Sequence, residues 1–324
     1  MHIQEAYDII KQDLKEVELE FKKNLDSDIY LIKKVGEYLL NNGGKRLRPS
    51  LLLLFARLCG HRGNRHIPLA VVVEFIHTAT LLHDDVVDNA NMRRGKAAAN
   101  TLWGSGASIL IGDFLFSKSF YLTVDDGDLH ILKILSGITT QMAEGEVLQL
   151  LKGSDAEVTE KDYMAVVTNK TASLISASCR IGAILGKALQ DKESAAARYG
   201  MDLGIAFQLV DDCLDYTSSN EELGKTIGND LREGKVTLPL IHTMKNTTRA
   251  EREEIVAAIE ANDLKDSQLL SIMSLIKKYK GIDYTLGKAR QHVEDAKTHL
   301  GSFEPNLERA ALIALADYVV ERAF

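Results

Sequence analysis

Three observations predict an all-helical protein. Proline occurs only four times in 324 residues (Pro49, Pro68, Pro239 and Pro305), so long stretches lack the residue that most reliably breaks a helix. Ala, Leu, Glu and Lys, all good helix formers, are abundant. Apolar residues recur with helical spacing, and strand-type alternation is scarce. No Pro/Ser-rich linker or low-complexity tract interrupts the chain, so residues 1–324 read as a single domain.

The elements follow in order. Residues 3–41 read as helical, with a break near Asp26-Ser27-Asp28. The turn "NNGGKRLRPS" sets Lys45, Arg46 and Arg48 ahead of the next helix, and Pro49 suits that helix's first turn. "IPLAVVVEFIHTATLLHDDVVD" is apolar on most faces, which predicts a central helix. A loop is expected at 89–96, then a helix over 97–122 that stops at the turn Asp125-Asp126-Gly127-Asp128. The next helix covers 129–151, and Thr159 with Asp162 forms a capping box for one running through Arg180. A further apolar helix spans 191–216, a Gly- and Lys-bearing segment leads to Pro239, and Thr248 with Glu251 opens the last helices.

A net charge of -7 argues against nucleic acid as a partner, because a phosphate backbone calls for a basic surface. Cys59, Cys179 and Cys213 are widely spaced among apolar residues, as expected of reduced, buried thiols in a cytoplasmic protein. The opening "MHIQEAYDIIKQDLKEVELEF" is amphipathic and acidic, unlike a signal peptide. "LLLLFARLC" is too short to cross a bilayer, so no integral membrane segment is expected.

The chemistry concentrates in a faint duplication. "LLHDDVVD" and "QLVDDCLD" each end an apolar helix in D-D-x-x-D and are each followed by a segment bearing glycine and lysine. Asp84 and Asp88 lie at i,i+4 and share a helical face, as do Asp211 and Asp215. Carboxylates without Cys or His suit a hard cation such as Mg²⁺, which is commonly bound together with substrate phosphates. A single acidic cluster is more often a solvated helix end; two copies favour metal binding. Basic residues stand in three glycine-bearing segments: Lys45 with Arg48, Arg93 with Arg94 and Lys96, and Lys225 with Lys235. Their forks and point charges suit phosphate. None of the segments matches the nucleotide-binding P-loop.

The stretches "GGKRLRP", "EFIHTATLLHDDVVDNANMRRGK", "NKTASL", "FQLVDDCLDY" and "GKTIGNDLREGKVTLPLI", in that order over residues 43–241, resemble the trans-isoprenyl diphosphate synthases. Within them the chain is most similar to the long-chain, octaprenyl-type enzymes. The resemblance implies a helical bundle of the isoprenoid-synthase type around a central apolar cavity, working as a homodimer. It implies several Mg²⁺ ions on Asp84, Asp85, Asp88, Asp211, Asp212 and Asp215, bridging to an allylic diphosphate. Arg93, Lys170, Thr171, Gln208, Lys225 and Lys235 would complete that pocket, with Arg93 and Lys170 joining the aspartates in catalysis. Lys45, Arg48, His77 and Arg94 would bind isopentenyl diphosphate. The implied reaction is attack of the isopentenyl double bond on an allylic cation, farnesyl diphosphate being the expected primer.

In the resembling enzymes, bulky residues four or five positions before the first motif stop the growing chain. Here Thr80 and Ala79 occupy those positions, so a long product is expected, with Phe116, Phe120 and Leu135 as candidate tunnel floor. The rival readings are a synthase of the same family making shorter or longer chains, a non-catalytic partner subunit, and a class I terpene cyclase. Both aspartate motifs are complete, against the partner subunit, and the second motif lacks the cyclase pattern. His83 reads as a hydrogen-bonded core residue. Glu74 with His77 makes a Glu-x-x-His pair, and no second pair exists for a di-iron site. A lipid product is compatible with loose membrane association.

Overall fold

The computed structural model of the protein describes residues 1–41, 44, 46–93, 95–153, 155–217, 228–260 and 264–322. The all-helical expectation holds. The first helices are α1 (Ile3–Ile9), α2 (Lys11–Leu25), α3 (Tyr30–Asn41), α4 (Leu47–Leu58) and α5 (His66–Val87). Strands β1 (Met92–Arg93) and β2 (Lys96–Ala97) form a two-residue hairpin, followed by α6 (Ala99–Trp103), α7 (Ser105–Asp126), α8 (Leu129–Lys152) and α9 (Glu160–Val167). A π-helical turn (Thr168–Ala172) joins α9 to α10 (Ser173–Leu185), and α11 (Gln190–Thr217) follows. The remainder is α12 (Asn229–Arg232), α13 (Leu238–Asn246), α14 (Arg249–Glu260), α15 (Asp266–Lys278), α16 (Gly281–His299) and α17 (Leu307–Glu321).

Four boundaries differ from the sequence expectation, the first being an extra break at Ile10 between α1 and α2. The loop at 89–96 contains the β1–β2 hairpin, turned by Gly95 at φ 73°. The helix expected over 97–122 is divided at Gly104, whose φ of 84° lies outside the range open to ordinary residues. The helix expected through Arg180 passes through the π-helical turn at Thr168–Ala172. The capping boxes are as expected: Thr159 accepts from the Asp162 amide, and Asp162 accepts from the Thr159 amide. Thr248 and Glu251 repeat the exchange.

The contacts group into two compact units: Met1–Thr139 with Leu174–Gly200 and Lys297–Leu315, and Thr140–Ser173 with Met201–Ala296 and Ala316–Phe324. In the first, α5 packs most extensively against α7 and also against α4 and α2. Leu69, Ala70, Val71, Val72, Val73 and Phe75 are wholly buried, which explains a helix apolar nearly all round. By length and composition α5 and α7 could each cross a membrane, but α5 is mostly buried inside its unit. Gly112 on α7 permits the close approach, because a Cβ there would lie 2.3 Å from His83 Nε2. His83 bonds the Ile109 carbonyl at 3.2 Å but is 36% exposed, so it is an edge residue rather than a core one. Of the three free thiols, Cys179 and Cys213 are buried and Cys59 only half-buried.

In the second unit α13 packs against α9 and α15, and its start carries Pro239 in the first turn. Buried Leu238, Leu240 and Ile241 face inward, while Leu269, Ile272 and Ile276 line the inner side of α15.

An ion pair between exposed Arg57 and buried Asp13 ties α2 to α4. Arg57 donates to both oxygens of Asp13 at 2.7 and 2.9 Å. Burial pulls the Asp13 carboxyl up, but bonds from His66 and Arg57 outweigh it and hold the group down at about 2. A lowered folded-state value means that the pairing stabilises above the ordinary carboxylate range and is lost as pH falls through it. Asp13→Asn should therefore lower the melting temperature at pH 7, and the gap to the parent should close as pH falls from about 4 towards 2. Scanning calorimetry of both chains across that range checks it.

Candidate active site

In the first unit the end of α5 is built to turn sharply. Asp88 caps the helix, donating its amide to the Asp84 carbonyl at 2.8 Å, and Asn89 takes φ 50°. Asn100 at the start of α6 donates to the Asp85 and Ala90 carbonyls at 2.9 and 3.0 Å, pinning the turn. The β1–β2 hairpin then carries Arg93 back over the helix end, where Nε and Nη2 reach Asp85 Oδ1 at 2.7 and 2.6 Å. The Asp85 side chain is 3% exposed, whereas Asp84 and Asp88 are half-buried on the neighbouring face. The three aspartates of the motif thus divide: the middle one is held by protein, and the outer two share a face.

His77 lies two turns before Asp84 on nearly the same face, half-buried, and its carbonyl accepts from Thr80 Oγ1 at 2.8 Å. Arg48 stands half-buried in the first turn of α4. Glu74, the partner of His77 in Glu-x-x-His, pairs instead with Arg46 at 2.6 Å, an ion pair the sequence did not signal. Ala79 and Leu135 are buried, and Thr80 is half-buried. Phe116 and Phe120 are half-buried on α7 with ring centroids 5.4 Å apart. Lys45, Arg94 and Lys225 lie outside the described residues.

In the second unit the same division recurs on α11. Asp212 is 3% exposed, and both of its oxygens take protein donors: Gln208 Nε2 at 2.7 Å and Tyr163 Oη at 2.5 Å. Burial, with repulsion from Asp211 and Asp215 added, pushes its carboxyl up to about 7 against the pull of those two bonds. Asp211 is 40% exposed and pairs with Arg322 Nη1 at 2.8 Å; that guanidinium also lies over the Phe207 ring. Asp215 Oδ2 accepts from the Asp230 amide at 3.1 Å, and its carbonyl accepts from the Gly228 amide at 2.9 Å, setting α12 behind the motif.

Lys170 and Thr171 sit in the π-helical turn, a widened turn of the kind often found at functional positions. Lys170 pairs with Glu146 at 2.6 Å, and Thr171 donates to Gln208 Oε1 at 2.9 Å. Gly145 makes room: a Cβ there would stand 2.9 Å from the Lys170 amide nitrogen. Lys235 pairs with Glu233 at 2.8 Å. Arg93, Lys170, Lys235 and Arg322 therefore each bond a carboxylate. Glu146, Tyr163 and Arg322 were missed in the sequence, since no spacing rule links residues this far apart to the motifs; Glu233, two residues before Lys235, was passed over inside the quoted segment. A separate group in this unit, Asp202, His292 and Asp295, brings three ligand atoms within 4.8 Å of one another.

The outer aspartates offer oxygen donors only, at i,i+4, which fits hard divalent cations. Basic groups paired with carboxylates beside them can exchange those partners for phosphate oxygens. An all-α scaffold with two such motifs fits an enzyme that handles diphosphates, the class to which the resembling prenyl-transferring enzymes belong. The model of the polyprenyl synthetase family matches residues 29–276. Octaprenyl diphosphate synthase of Escherichia coli is 40% identical over 322 residues, covering 99% of both chains. A polyprenyl synthase from Caulobacter crescentus, solved with calcium and isoprenyl diphosphate, superposes with a TM-score of 0.96 at 39% identity, covering 99% of this chain and 98% of that one. A decaprenyl diphosphate synthase from Rhodobacter capsulatus gives 0.94 at 41% identity, covering 99% of each. The chain belongs to the polyprenyl synthetase family.

Because Arg93 is partly exposed and Asp85 almost fully buried, the two sides of the first motif should respond differently. Asp85→Asn should cost the metal-free protein about 1–3 kcal/mol, the range for a buried charge-assisted bond. Asp88→Asn, on the half-buried face, should cost less. Urea unfolding without metal compares them.

Proposed function

We propose that this chain condenses isopentenyl diphosphate with an allylic diphosphate, farnesyl diphosphate for choice, to make a long-chain all-trans polyprenyl diphosphate of the octaprenyl class. The observation that carries the reading is similarity to an octaprenyl diphosphate synthase over the full chain, with both aspartate motifs intact. All 324 residues serve as one synthase domain in this reading, consistent with the length over which the relatives align. The retained motifs disfavour a non-catalytic subunit, and the relatives disfavour a cyclase.

The residue roles follow from the resemblance and from each group's surroundings. Asp84, Asp88, Asp211 and Asp215 are the candidates to touch metal, with Asp85 and Asp212 held behind them. Divalent metal, Mg²⁺ by the chemistry of the donors, would supply Lewis-acid stabilisation of the departing diphosphate. Arg93, Lys170, Thr171, Gln208, Lys225 and Lys235 bind and orient the allylic diphosphate, and the cations among them offset the charge it gains on leaving. Lys45, Arg48, His77 and Arg94 hold isopentenyl diphosphate. Small Ala79 and Thr80 leave room for the tail, whose burial is favourable by about 0.8 kcal/mol per methylene. Phe116, Phe120 and Leu135 are the candidate floor.

We propose a homodimer that uses α7. Leu110, Ser117, Tyr121 and Val124 recur at helical spacing along one exposed side, with Leu110, Tyr121 and Val124 at 68, 62 and 61% exposure. A stripe of that kind on a soluble helix is unusual without a partner. A cytoplasmic location suits the free thiols. Light scattering should return twice the chain mass; a single-chain mass at working concentration would reject the dimer.

The function is tested by incubating the protein with farnesyl diphosphate, labelled isopentenyl diphosphate and Mg²⁺ and sizing the products. Long polyprenyl chains are expected. No elongation by a folded protein would defeat the reading, and a cyclic hydrocarbon from farnesyl diphosphate alone would favour the cyclase. Ala79→Phe should shorten the product while elongation persists; an unchanged length would mean that the tail runs elsewhere.

A further inference from the structure

Four side chains of the second unit form a continuous hydrogen-bonded series. Thr171 Oγ1 donates to Gln208 Oε1 at 2.9 Å, Gln208 Nε2 donates to Asp212 Oδ1 at 2.7 Å, and Tyr163 Oη donates to Asp212 Oδ2 at 2.5 Å. With Asp212 ionised its carboxylate only accepts, and the Gln208 amide then turns its NH₂ to Asp212 and its oxygen to Thr171. Tyr163 and Asp212 are 7% and 3% exposed, so water does not compete for these bonds. Tyr163 belongs to α9 and Thr171 to the π-helical turn that follows it, so the series closes a bridge from α9, across α11, back to that turn.

We propose that Tyr163 is a positioning residue for the second aspartate motif. Its phenol and the Gln208 amide occupy both oxygens of Asp212 and fix it as a buried strut against the repulsion of Asp211 and Asp215. With the strut in place, Asp211 and Asp215 keep the geometry in which they meet a divalent cation. Through Gln208 and Thr171 the same strut holds the turn that presents Lys170. Tyr163 therefore acts on metal and on allylic diphosphate through other residues, touching neither. Phenylalanine keeps the ring and its packing and removes only the donor, leaving a buried acceptor unpaired. This inference rests on the metal role proposed above for Asp211 and Asp215.

The test measures Mn²⁺ affinity of the whole chain without substrate, by electron paramagnetic resonance titration, for the parent, Tyr163→Phe, Asp212→Asn and Asp211→Asn. Tyr163→Phe should weaken Mn²⁺ by about 5- to 10-fold, the scale of one lost charge-assisted bond. In turnover it should lower kcat and raise KM for the allylic diphosphate while KM for isopentenyl diphosphate stays unchanged. Asp212→Asn, which keeps an acceptor for Tyr163, should weaken Mn²⁺ less than Asp211→Asn does. A folded Tyr163→Phe with Mn²⁺ affinity within about 2-fold of the parent overturns the proposal, since that is well below the loss of one buried bond. An Asp212→Asn loss as large as that of Asp211→Asn also overturns it, because Asp212 would then be a ligand. If Tyr163→Phe does not fold, the comparison of the two aspartate variants decides alone. Loss of binding in Asp211→Asn with parental binding in Tyr163→Phe rejects the strut and keeps the metal reading; parental binding in Asp211→Asn rejects both.

Discussion

Like charges crowded at the end of a buried helix need compensation, and much of the local structure around both motifs supplies it. Asp85 and Asp212 sit where water is scarce, so each must be bonded by protein. Asp85 is bonded by Arg93, which only a tight hairpin can return to it, and so Gly95 and the β1–β2 pair follow. Asp212 is bonded by Tyr163 and Gln208, which ties α9 to the part of α11 that lies in the same unit. The two motifs reach the same division of labour with different partners. In each, the middle aspartate is buried against protein donors, and the outer pair is half-buried on the neighbouring face.

The basic groups obey the same constraint from the other side. Arg93, Lys170, Lys235 and Arg322 each bond a carboxylate, so these cations are held in place by the protein itself. Such pairs lower the cost of gathering charge and hold side chains with high rotamer entropy near where they act. On the roles proposed for Arg93, Lys170 and Lys235, diphosphate binding would exchange one anion for another and need not order a free lysine or arginine. Such preorganisation suits the electrostatic role proposed for these residues.

Much of the fold was legible because helices write their limits locally. The capping pairs Thr159/Asp162 and Thr248/Glu251, and the turn at Gly127, are decided by neighbours three or four residues away. The breaks at Gly104 and at Thr168–Ala172 were not legible. A glycine inside a helical pattern is ambiguous, and a π-helical turn depends on what packs beside it, here Gly145 of α8. His83 shows the same limit: its apolar neighbours in sequence said core, yet the side chain lies at an edge where Gly112 lets it pass.

The sequence by itself determined the helical class, the two D-D-x-x-D motifs with their i,i+4 pairs, the basic segments after them, and the family these patterns belong to. Those features are periodic or contiguous, so one chain read in order suffices. Only the tertiary structure decided which aspartate of each motif is buried and what holds it. Tyr163, Glu146 and Arg322 reach their partners from 49, 24 and 111 residues away in the chain. Bonds between residues that distant depend on how helices pack, and packing is set by the summed burial of many apolar side chains. No local pattern of residues records that sum.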